Sequence, residues 1–75
     1  MEKKLTEMVF DEEGTVKEIA EDFRVQIAGM GIRKGKKVRM TTRQPMNGPV
    51  VIEIGSANTS VGYALADKVI VDVGD

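Results

Sequence analysis

The side chains that could carry chemistry in this sequence fall into four groups, and none contains histidine or cysteine. Those two absences remove the usual ligands for zinc, iron and copper, every His-containing triad, thiol nucleophiles and disulfides. The first group, Asp11, Glu12 and Glu13, could hold a hard cation loosely. The other oxygen ligands of a defined calcium loop are missing, so three adjacent acids read as a hydrated turn. The second group, Gly29, Gly31 and Gly35, lacks the feeding strand and spacing of a phosphate-binding fingerprint and reads as helix and turn punctuation. Asn58-Thr59-Ser60 matches a glycosylation acceptor, a chance match in a chain with no secretion signal. The fourth group is the stretch MGIRKGKKVRM, residues 30–40, which holds five of the chain's eleven basic residues. It is either a nucleic-acid-binding stripe or a turn leading into a strand with a charged outer face. On this inventory an enzyme is disfavoured, and neither a cofactor nor a metal site is expected.

The charge pattern bears on that choice. Residues 1–22 hold eight acids and three bases, residues 23–44 seven bases and no acid, and residues 45–75 four acids and Lys68. Segregated charge can mark a contact surface. It can also coat a small barrel in which opposite charges meet across paired strands, and that reading is preferred.

Hydrophobic spacing supplies the elements. KKVRMTTR (36–43) alternates with period two, placing Val38, Met40 and Thr42 inward and Lys37, Arg39, Thr41 and Arg43 outward. The basic residues therefore occupy positions that a half-buried strand gives to solvent. LTEMVF (5–10) reads as a short strand and DEEG (11–14) as a turn with Gly14 at its end. TVKEIAE (15–21), with Val16 and Ile19 three apart, is a strand with a bulge or a weak helix. DFRVQIAGMG (22–31) reads as a short helix with Phe23, Ile27 and Met30 on one face, Asp22 as N-cap and Gly31 in the left-handed position beyond its end. QPMNGP (44–49) is the strongest turn signal, with Asn47-Gly48 supplying positive backbone angles. VVIEIG (50–55) turns Val50, Ile52 and Ile54 inward, SAN (56–58) is a turn, and TSVGY (59–63) a strand. ALAD (64–67) makes one helical turn, and KVIVDV (68–73) closes with Val69, Val71 and Val73 on one face. The expected architecture is mainly β, a single domain over residues 1–75: a small barrel of five to six short antiparallel strands with one short helix.

Two methionines bear on function. Met40 belongs to the core by phase, whereas Met46 sits in a polar turn with no core role. It is either an adaptable partner contact or a cap folded over the open end of the barrel.

MGIRKGKKVRM, QPMNGPVVIEIG and ALADKVIVDV together resemble the FeoA family, and the resemblance runs from about Leu5 to Val73. The positions that match its pattern are Gly31, Ile32, Gly35, Gly48, Pro49, Ala66, Val69 and Val71, all structural. Lys34 stands where the family usually has proline, and Gly62 where it often has a basic residue. The resemblance implies an SH3-like barrel; members of the family occur as stand-alone proteins accompanying bacterial and archaeal ferrous-iron transporters and as C-terminal domains of metal-dependent repressors. It also implies a non-catalytic accessory protein of ferrous-iron uptake that binds the cytoplasmic part of the membrane transporter and modulates its assembly or activity. The expected contact residues are Met30, Ile32, Arg33, Lys34 and Met46, mixed apolar and basic, suited to an acidic and partly apolar partner. The chain is expected in the cytoplasm, with no membrane insertion and no nucleic-acid partner, while strand edges leave weak self-association open. An RNA- or ribosome-associated SH3-like module and a stand-alone repressor domain are the alternatives. Recognition of proline-rich peptides is disfavoured because only Phe10, Phe23 and Tyr63 could line a groove.

Overall fold

A computed structural model of the chain describes residues 1–44 and 46–74. Among these, six strands form one antiparallel sheet: β1 (Glu2–Lys4), β2 (Glu13–Ile19), β3 (Lys37–Arg43), β4 (Val50–Ile54), β5 (Ala57–Val61) and β6 (Val69–Val73), in the order β1-β6-β2-β3-β4-β5. The helices α1 (Arg24–Ala28) and α2 (Tyr63–Ala66) are short, and 3₁₀ turns occupy Leu5–Glu7 and Glu21–Phe23. A flat sheet of this kind would be about 24 Å wide and only about 10 Å thick. The domain instead measures 27 × 26 × 23 Å, so the sheet curls around a single core. Val16, Ile19, Val38, Met40, Val50, Ile52, Val61, Val69, Val71 and Val73 supply that core from five strands, and Leu5, Met8, Ile27, Ile32 and Ala66 close its ends.

Two bulges make the curl and explain the irregular apolar spacing. Between Val16 and Glu18 the register with β6 shifts by one residue. Lys17 is the extra residue, and Val16 and Ile19 both point inward although they stand three apart. The second shift falls between Met40 and Thr42. Val38 and Met40 are buried as their alternation requires, but Thr42 is exposed, which corrects its inward assignment. Thr41 is half-buried at the bulge, and its Oγ1 donates to the Val51 carbonyl at 2.9 Å.

Several local expectations change. Leu5–Glu7 is a 3₁₀ turn rather than a strand, closed by the Lys4 N–H donating to Glu7 Oε1 at 2.7 Å; Leu5 and Met8 both reach the core. Gly14 lies inside β2, not at the end of a turn, where a Cβ would press on the Val71 side chain and stand 2.9 Å from the Asp72 carbonyl. Asp22 does not cap α1; it lies in the preceding 3₁₀ turn, held by the Phe23 N–H donating to the Ala20 carbonyl at 3.0 Å. The helix phase itself is as expected, with Ile27 buried, Phe23 and Met30 packed against the core and Val25 88% exposed. Gly31 has φ +86°, the left-handed exit its position predicted. The turn between β4 and β5 is Gly55-Ser56, so β5 begins at Ala57 and ends at Val61.

Candidate functional site

From the left-handed Gly31 the chain drops Ile32 into the core, fully buried, then returns to the surface with Arg33 and Lys34 exposed. Gly35, at φ +89°, turns it into β3. The Gly35 N–H donates to the Val16 carbonyl at 2.8 Å, and the Val16 N–H donates to the Lys36 carbonyl at 2.8 Å. Arg33 and Lys34 thus stand on a loop pinned at its C-terminal end to β2. They border an open groove of about 360 Å³ with Arg24 and Ala28 of α1, Ile19 of β2 and Ile32 beneath. Three cations therefore frame an apolar floor, with Val25 beside Arg24 on the solvent side. Lys34 Nζ lies 3.6 Å from Glu18 Oε1, both side chains about 60% exposed, a pair too wet to neutralise the groove. Arg24 and Arg33 have no ion pair among the described residues.

The remaining basic residues of the 30–40 stretch behave as strand exterior. Arg39 pairs across the ladder with Glu53, Nη2 to Oε1 2.8 Å, and reaches Asp11, Nη1 to Oδ1 2.6 Å. Donating to Glu53, and then to Asp11, raises the guanidinium above its usual value. Lys17 is likewise raised by its hydrogen bond to Glu2. Arg39–Asp11 and Lys34–Glu18 join the basic middle to the acidic N-terminal third, whereas Glu2 and Glu12 pair with Lys17 and Lys3 of that same third, so cross-strand pairing meets only part of the segregated charge.

Met46 lies elsewhere. It is 95% exposed, so it does not fold back over the core. Its φ is +58° and that of Asn47 is +62°, placing the positive angles one residue earlier than Asn47-Gly48; Pro45 lies outside the described residues. Met46 edges a second open depression of about 360 Å³ with Thr6, Arg43, Asn47 and Tyr63. The two depressions share no lining residue. Of the five expected contact residues, only Arg33 and Lys34 share one exposed surface. Met30 is half-buried against the core. Ile32 is corrected to a core residue, because a fully covered side chain cannot meet a partner. Arg24 was missed as a groove residue; the Phe23-Ile27-Met30 phase of the helix leaves it off the buried face. Among the described residues no three acidic side chains converge as a metal-binding group, and no helix is long and apolar enough to cross a membrane.

A curled six-stranded antiparallel sheet with short helices and a mixed basic and apolar groove defines a small SH3-like β module. The sequence matches the model of the FeoA domain over residues 3–73, and the chain belongs to that family, which is associated with ferrous-iron transport. Its structure is similar to the crystal structure of an iron uptake regulatory protein, FeoA, with TM-score 0.90 and 29% identity over 99% of this chain and 100% of that one. It is also similar to FeoA of Stenotrophomonas maltophilia, an SH3 domain protein solved with zinc: TM-score 0.74, 24% identity, 91% of this chain and 87% of that one. A manganese-dependent transcriptional repressor gives TM-score 0.85 at 24% identity over 97% of this chain, which spans 42% of the repressor's length. The latter two likenesses show the fold alone. No curated protein matches the sequence.

Proposed function

We propose that this chain is a non-catalytic accessory protein of ferrous-iron uptake. It binds the cytoplasmic part of the membrane ferrous-iron transporter and modulates its assembly or activity. Membership of a family of iron-transport accessory domains supports the first part. The observation that carries the second is the groove itself. Arg24, Arg33 and Lys34 surround an apolar floor at Ala28 and Ile19, with the buried Ile32 supporting it from beneath, a surface suited to an acidic and partly apolar segment of another protein.

The test is calorimetric titration of the full chain with the cytoplasmic domain of a ferrous-iron transporter encoded beside it. Arg33→Glu and Lys34→Glu should each weaken the complex by about tenfold or more, roughly 1.4 kcal/mol. Met46→Glu, at the separate depression, should leave it within about twofold. No binding at about 1 mM, near −4 kcal/mol, would remove the transporter as partner. A complex indifferent to both groove variants would remove the groove.

A further inference from the structure

The curled sheet keeps two edges, β1 and β5, and they are guarded very differently. β1 is three residues long and charged throughout. Glu2 pairs with Lys17, Lys3 with Glu12 and Lys4 with Asp67, the kind of charged, short edge that resists further pairing. β5 has none of these devices. From Gly55 to Gly62 the chain contains no charge and no proline, and the β4–β5 register runs without a bulge. Ala57, Asn58 and Ser60 are exposed and Thr59 is half-buried. β4 is the one element against which β5 packs extensively.

Which backbone groups face the open side follows from the ladder. Met40 spends both its groups on the β2 side: its N–H donates to the Glu12 carbonyl at 2.9 Å and its carbonyl accepts from the Asp11 N–H at 2.7 Å. Alternate residues of an antiparallel strand bond to opposite neighbours, so Arg39 turns to β4 and bonds its register partner Glu53. Ile52 and Ile54 then turn to β5 and engage Thr59 and Ala57. That leaves the N–H and C=O of Asn58 and Ser60 directed away from the sheet.

We infer that β5 is a self-association edge, pairing antiparallel with β5 of a second copy of this chain about a two-fold axis at Thr59. The register is self-complementary. Asn58 faces Ser60 of the other copy and exchanges both backbone hydrogen bonds with it, while Thr59 faces its own equivalent in the closer, non-bonded pair. Ala57 faces Val61. Uncharged, mostly small or polar residues thus meet, and no like charges oppose. A two-fold contact of this kind is closed, so it makes dimers rather than fibres. A five-residue strand pair falls well below the roughly 1,200 Å² of a stable interface, so the dimer is weak and concentration-dependent.

Sedimentation equilibrium of the full 8.2 kDa chain tests this. The weight-average mass should climb from monomer towards dimer between about 0.05 and 1 mM, the range a marginal interface reaches. Amide signals of Asn58 and Ser60 should shift over the same concentrations. Ser60→Pro deletes an open-side N–H without touching the β4 ladder, and edge strands tolerate proline. Asn58→Lys places a solvated charge on the edge and covers the case in which the proline variant misfolds. Either folded variant should need about tenfold or more higher concentration to dimerise. A wild type that remains monomeric to about 1 mM overturns the inference, as does a dimer that persists in both variants. Amides at 58 and 60 protected only on adding the transporter domain would overturn it too, and would put a strand of that protein on this edge.

Discussion

Replacing Ile32 by alanine separates a core role from a contact role at a position the sequence assigned to contact. The side chain is fully buried, held there by the left-handed turn at Gly31. Truncating such a residue removes its transfer free energy and leaves a cavity, together about 2–5 kcal/mol. A 75-residue domain has a total stability of roughly 4–11 kcal/mol at 0.05–0.15 kcal/mol per residue. The substitution therefore removes a large fraction of it, lowering the melting midpoint by roughly 8–40 °C at 4–8 °C per kcal/mol. Lys34→Ala and Met46→Ala, at exposed positions, should stay within about 0.5 kcal/mol of the parent. Urea unfolding followed by far-ultraviolet circular dichroism suits a chain with no Trp and one Tyr. The denaturant slope should be unchanged, so that the midpoint reports stability directly. An Ile32→Ala midpoint indistinguishable from that of Met46→Ala would refute the core assignment, and with it the reason for removing Ile32 from the binding surface.

Gly14→Ala should cost about 1–3 kcal/mol, the scale of overpacking, because the new methyl meets Val71 and the Asp72 backbone of β6; an unchanged urea midpoint would show that β6 yields freely. Glu12 accepts the Val9 N–H at 3.0 Å and Lys3 Nζ at 3.1 Å. The Val9 bond is the chief reason its carboxyl lies below the ordinary 4.5, partial burial opposing and Lys3 assisting. A depressed folded value means the stabilisation is complete above pH 4.5 and is lost as pH falls through the lower folded value. Glu12→Gln should therefore lose stability less steeply than the parent on acidification below pH 4.5, and equal slopes in acid titrations would refute it.

The spacing of KKVRMTTR was enough to place Val38 and Met40 inside and Lys37 and Arg39 outside, and Arg39 duly meets Glu53 and Asp11. The same spacing failed at Thr42. A bulge inserts one residue against a partner strand, and the partner is invisible to local alternation. At Val16 and Ile19 the reverse happened, since their odd spacing left strand and helix open until the β6 register showed an extra Lys17. Leu5–Glu7 was misread because a 3₁₀ turn can send Leu5 and Met8 to one core without either helical or strand periodicity.

What the chain settles by itself is its chemistry and its class: no imidazole or thiol to catalyse or ligate, and enough alternating apolar runs for a small antiparallel domain. Those follow from side-chain inventory and from periods of a few residues. Which basic residues share a surface was decided only in three dimensions. Arg24 and Arg33 are nine positions apart yet border one groove, while Ile32, next to Arg33, lies beneath it. The edge left open at β5 is likewise a property of strand order, set by the burial of one core and not by any segment read alone.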